Sequence, residues 1–153
     1  MKIAVLSDTH NLLRPEVIEI IKSSNAVIHG GDINSQGVLD EIKSVMKPNA
    51  QLFVIRGNND KEWAENLSVS LDFELGGLKF FLTHNRKDIP QDIKADIIIF
   101  GHSHKYHEEN ISGQVWLNPG SCGRKRFNLP ITMAVMNVND NEYSIEKIEL
   151  EGE

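Results

Sequence analysis

What most constrains this chain is the order of its short apolar runs. Residues 3–6, 26–28, 52–55, 79–82 and 97–100 are near-continuously apolar and rich in β-branched or aromatic side chains. Runs of this length and composition read as strands buried on both faces. Between the first two, Val17, Ile18, Ile20 and Ile21 share one helical face behind Pro15, which predicts a helix over 15–23. Between the second and third, Val38, Leu39, Ile42, Val45 and Met46 repeat that spacing, with Asn34 or Ser35 available as N-cap and Pro48 as terminator. Right-handed crossovers then place the first three strands in one parallel sheet with its C-terminal edge open. The second half changes character. Residues 69–75 and 78–82 flank Gly76-Gly77, 106–111 and 114–117 flank Ser112-Gly113, and 131–138 and 142–150 flank Asn139-Asp140-Asn141. These hairpins predict a second, mixed sheet, hence an α/β four-layer α/β/β/α sandwich. No repeat or linker interrupts residues 1–153, so a single domain is expected.

Each buried-type run leads into a polar cluster: Asp8-Thr9-His10, Gly31-Asp32, Gly57-Asn58-Asn59-Asp60, Thr83-His84, and Gly101-His102-Ser103-His104. Ligands of open α/β sheets collect at such strand ends. If both sheets point them at one rim, Asp8, His10, Asp32, Asn58, His84, His102 and His104 converge as oxygen and imidazole donors. That set suits two divalent metals, because one carboxylate bridges with both oxygens while imidazoles and an amide oxygen complete each shell. Asp32, central in the order, is the expected bridge. A single Asp or His after a strand is more often a cap or a surface group. Four of the six histidines lie at strand ends, however, and each buried donor left unpartnered costs about 1–3 kcal/mol.

These ordered motifs resemble those of the calcineurin-like metallophosphoesterase superfamily, and Asn118-Pro119-Gly120-Ser121 in a short chain is similar to the small YfcE-type phosphodiesterases. The resemblance runs from about residue 3 to about residue 138. It implies that Asp8, His10, Asp32 and His104 hold one metal, and Asp32, Asn58, His84 and His102 the other. Manganese is the first expectation, and nickel, zinc and iron also suit mixed Asp, His and Asn donors. The implied reaction is hydrolysis of a small phosphodiester by a hydroxide bridging the two ions, which also neutralise the phosphoryl charge. Asn59 stands where much of the superfamily has a histidine that protonates the leaving oxygen. The change favours diesters whose leaving groups need little protonation, with Asn58 and Asn59 expected to orient substrate oxygens. Asn85 replaces the usual glycine after the ligand histidine, and the short span from His84 to His102 implies a reduced cap. The small subunit of retromer resembles this fold but is substituted among its ligands and works as a scaffold. A metal-stabilised interaction module is therefore the alternative to an enzyme, and a phosphomonoesterase the alternative activity.

Charge narrows the partners. Sixteen basic against 22 acidic residues leave a formal charge of −6, which argues against long nucleic acid and anionic membranes. The run Arg124-Lys125-Arg126 follows the Asn-Pro-Gly-Ser motif, and Arg124 is a candidate substrate contact. One cysteine, Cys122, excludes an intrachain disulfide, and no run is long enough for a signal peptide or a membrane span, so a cytoplasmic location is expected. Cys122 has no histidine partner nearby and reads as a packed residue. His29 reads as a hydrogen-bonded interior histidine, and His107 as a surface group. Oligomeric state stays open, a homo-oligomer included.

Overall fold

The computed structural model describes residues 1–126 and 128–151. Strands β1 (Lys2–Leu6), β2 (Ala26–His29) and β3 (Gln51–Val54) are parallel, joined by α1 (Pro15–Lys22) and α2 (Gln36–Val45). Alternation along β1 sorts its side chains. Ile3 and Val5 face the core between the sheets, while Ala4 and Leu6 face the helices with Val17, Ile21, Val38, Leu39 and Ile42. Ser35 occupies the α2 N-cap position, but its hydroxyl donates to Asn11 Oδ1 at 2.6 Å and does not cap the helix.

The second sheet holds β4 (Ser70–Leu75), β5 (Leu78–Thr83), β6 (Ile97–Ile99), β7 (His107–Ile111) and β8 (Gln114–Asn118), in the order β4-β5-β6-β8-β7. Gly76 and Gly77, at φ +58° and +84°, make the β4–β5 turn, a backbone shape that glycine adopts without a Cβ penalty. The last hairpin departs from expectation. β9 (Ile131–Asn139) and β10 (Glu142–Leu150) join the first sheet, with β9 antiparallel to β1, giving the order β10-β9-β1-β2-β3. The reason is burial on both faces of β9. Ala134, Met136 and Val138 enter the core between the sheets and Met133 enters the helix-side core, which an interior strand beside β1 permits.

Both sheets are thus mixed and five-stranded, packed face to face with two helices outside the first. Over the outer face of the second lies the segment 85–96, whose Ile89 and Ala95 pack with Phe81, Ile98 and Phe100. This outermost layer carries a 3-10 turn, Arg86–Asp88, in place of a full helix, because the connection is short and contains Pro90.

Candidate metal centre

The C-terminal ends of β1, β2, β3, β5 and β6 meet at one rim. The chain turns there sharply: Asp8, His10, Asp32, His102 and His104 have φ of 54°, 45°, 57°, 74° and 65°. Non-glycine residues hold this left-handed shape only where the surroundings over-determine it, and they cluster at functional sites. Here backbone bonds supply the support. Asp8 N–H donates to Gly31 O at 2.9 Å and His10 N–H to Asp32 O at 3.0 Å, lacing the first two loops together. His102 N–H donates to Asp8 Oδ2 at 3.1 Å and ties the second sheet to the first.

Two donor groups result. Asp8, His10 and His104 are all buried, and Asp32, His84 and His102 lie beside them with only His102 exposed; within each group the ligand atoms lie within 4.8 Å of one another. Asp8 Oδ1 is 3.4 Å from His104 Nε2, 3.6 Å from His10 Nε2 and 3.9 Å from His84 Nε2. Asp32 Oδ2 is 3.3 Å from His84 Nε2 and 3.7 Å from His10 Nε2, so this one oxygen faces both groups. The Nε2 atoms of His10 and His104 are 3.2 Å apart. Asn58 Oδ1 lies 3.2 Å from His102 Nδ1 on the exposed side.

The donor set fits cations. Asp8 Oδ1 and His84 Nε2 are buried and have no hydrogen-bond partner. His84 Nδ1 is 2.7 Å from Gly30 O, a carbonyl that can only accept, so Nδ1 carries a proton and Nε2 is the ring atom turned toward the carboxylates. Burial alone would raise the pKa of Asp8, yet His10, His104, His84 and the Ser7 hydroxyl hold it well below the usual carboxylate range. Burial opposes ionisation of Asp32 too, and His84 with the Asn59 N–H outweighs it. For His84 burial favours the neutral ring, but the adjacent Asp32 and Asp8 raise its pKa. The rim therefore presents two carboxylates in their anionic form, facing imidazole nitrogens.

Several supporting residues escape a reading of the sequence alone. Asn59, expected to face substrate, donates its N–H to Asp32 Oδ1 and its Nδ2 to Asp32 Oδ2, both at 2.9 Å, and so clamps the carboxylate. Asp60 accepts the N–H groups of Asp32, Ile33, Asn34 and Gly57 at 2.8–2.9 Å, pinning the β2 loop to the β3 loop. Gly57 is required beside it, because a Cβ there would collide with the Asp32 carboxylate and backbone. Ser7 Oγ donates to Asp8 Oδ2 at 2.7 Å, and Ser121 Oγ to Asp8 O at 2.8 Å. Asn118 donates to Gly101 O at 3.0 Å and Ser103 Oγ at 3.1 Å, fixing the loop that bears His102 and His104. The motif marks Asn118 and Ser121, but only the fold shows what they hold. Arg124 is exposed and does not line the cleft of about 650 Å³ that opens beside Asn58 and His84. Cys122 is fully buried, and burial pushes its pKa up to about 12, as a packing residue requires.

Comparison with known proteins identifies the family and the fold. The family model for the calcineurin-like phosphoesterase superfamily domain matches residues 1–141. Phosphodiesterase MJ0936 of Methanocaldococcus jannaschii is 32% identical over 165 aligned positions, covering 94% of this chain and 96% of that protein. A solved archaeal phosphodiesterase superposes with a TM-score of 0.78 at 28% identity, over 98% of this chain and all of its own. A wild-type Vps29 from Entamoeba histolytica, solved with zinc, gives 0.74 at 20% identity over 97% and 99% of the two chains, a likeness of fold alone. With its strand-end donors gathered at one rim and its length matched by the family model, the chain belongs to the calcineurin-like phosphoesterase superfamily.

Proposed function

We propose that this chain is a binuclear metal-dependent phosphodiesterase acting on a small phosphodiester as one domain over residues 1–153. The observation that carries this reading is the pair of donor groups meeting at Asp32 Oδ2, with Asp8 Oδ1 and His84 Nε2 buried and unpartnered between them. Asp8, His10, Asp32 and His104 would hold one ion, and Asp32, Asn58, His84 and His102 the other. Bound divalent cations supply a water acidified toward a pKa of about 7 and positive charge for the phosphoryl oxygens. The chain's own residues fix the rest. Asn59 holds Asp32 across the two groups, while Ser7 and Ser121 hold Asp8. No imidazole stands at position 59 to protonate a leaving oxygen, which favours diesters with leaving groups that depart unprotonated. Asn58, exposed at the rim, faces the cleft that would receive the ester. Arg124 reaches substrate in this reading only if it folds over the rim.

The relatives named as phosphodiesterases support the reaction class. Manganese is the first choice of metal, before nickel, zinc or iron. Among the described residues no helix is long and apolar enough to cross a membrane. A cytoplasmic location belongs to this reading as an expectation from the sequence. A scaffold without turnover is the competing reading, and the complete donor set disfavours it. The deciding experiment strips the protein of metal, adds back each ion, and measures a chromogenic diester against the matching monoester. Metal-restored turnover with diester preferred is expected. Metal that raises the melting temperature while neither ester turns over above a metal-only blank would establish the scaffold instead.

A further inference from the structure

His29 is fully buried at the end of β2 and belongs to neither donor group. Its hydrogen bonds define its tautomer. The Gly31 N–H points at His29 Nδ1 at 3.0 Å, and a backbone N–H can only donate, so Nδ1 carries the lone pair and Nε2 the proton. Nε2–H therefore donates to Thr9 Oγ1 at 3.1 Å, and the Thr9 hydroxyl faces Ile33 O at 3.5 Å. Burial pushes the pKa of His29 down to about 4, so the ring stays neutral as this tautomer requires. The two partners are placed with purpose. Thr9 lies between Asp8 and His10, and Gly31 immediately precedes Asp32. All three of those donors have positive φ, the backbone shape that most needs outside support. An apolar residue would fill the same volume but leave the Gly31 N–H and the Thr9 hydroxyl without their imidazole partner.

We propose that His29 is a positioning residue of the metal centre: bridging Gly31 and Thr9 across a rigid ring, it sets Asp8 and His10 against Asp32 so that two cations bind as a pair. This inference rests on the binuclear reading above. It concerns the side chain behind the donors and no donor itself.

The test titrates the metal-stripped full chain with Mn2+ alone and follows it by electron paramagnetic resonance. That spectrum reads both free ion and the exchange coupling of two neighbouring ions, which a merely space-filling histidine would not govern. Thr9→Val removes the acceptor at nearly constant volume, and Thr9→Ser retains it. His29→Asn keeps an acceptor where Nδ1 stood, and His29→Gln keeps a donor where Nε2 stood. Loss of a group that orients a metal ligand typically weakens binding 10–100-fold. Thr9→Val, His29→Asn and His29→Gln should each raise the Kd of the ion pair about tenfold or more and diminish the coupled signal, while Thr9→Ser matches the parent. Parent-like Kd and coupling in the two His29 variants and Thr9→Val, whatever their melting temperatures, would overturn the proposal. Should the His29 variants fail to fold, the Thr9 pair decides by the same criterion. A parent that never forms a coupled pair overturns the binuclear reading, and the positioning role with it.

Discussion

At the residue scale, Asp32 and Asn59 show how one carboxylate is prepared for two neighbours. Asp32 Oδ2 faces His84 and His10 at 3.3 and 3.7 Å while Asn59 holds both oxygens from behind. Asp32→Asn preserves size but removes the anionic charge that two cations would share. It should weaken metal binding by about a hundredfold and abolish diester turnover, read by metal analysis beside rate. Full metal content with near-normal turnover would remove Asp32 from the bridge. Asn59→His probes the missing proton donor. Well-placed general acids contribute about 10²–10⁴-fold, so even an imperfectly placed imidazole should shift the monoester-to-diester ratio upward by about tenfold. The overall rate should fall, because the Asn59 Nδ2 bond to Asp32 is lost. An unchanged ratio at intact metal content would show that position 59 does not approach the leaving group. The resemblance of the Gly57-Asn58-Asn59-Asp60 motif marks Asn59 as standing where a histidine is common. That it clamps Asp32 is invisible in the sequence, because residues 27 positions apart meet only through the fold.

At the element scale, β9 carries the clearest energetic consequence. Met136 is fully buried in the core between the sheets and pairs with Ile3 of β1. Truncating a buried methionine to alanine typically costs about 2–5 kcal/mol, the spread reflecting how far the site collapses. Met136→Ala should fall in that range by urea denaturation, and Ile145→Ala, on partly buried β10, should cost less. Comparable costs would contradict the interior place of β9. The near-continuous apolar run 131–138 announces a buried strand, and it forms one. Which sheet receives it is not written there, since apolar burial is non-directional and either sheet offers an apolar face. In the fold the strand takes the free edge of β1, where Met136 enters the core between the sheets and Met133 the helix-side core.

At the scale of the whole molecule, the centre couples stability to metal and proton alike. Without cations, His84 lies between Asp8 and Asp32 with a pKa raised above its ordinary value. A raised folded pKa contributes stability that is fully present below the unfolded value of about 6.5 and is lost as pH rises through the folded value. A cation needs the neutral ring and takes over the proton's role. Binding at a hundred times Kd adds about 2.7 kcal/mol, a shift of several degrees. The difference in melting temperature between manganese-loaded and chelated protein should therefore widen between about pH 6 and about pH 8, and His84→Ala should flatten that trend. A difference independent of pH would exclude His84 as the group exchanging proton for metal. By itself the sequence determined the strands, the helices, the Gly-Gly turn and the polar clusters at the strand ends, because burial period, turn chemistry and strand-end position are local properties of the chain. Only the tertiary structure decided that the last hairpin extends the first sheet, that Asp60 pins the β2 and β3 loops together, and that Asn59 and His29 stand behind the donors. Those outcomes depend on which loops touch across the rim, and contact between distant segments is set by packing of the whole core.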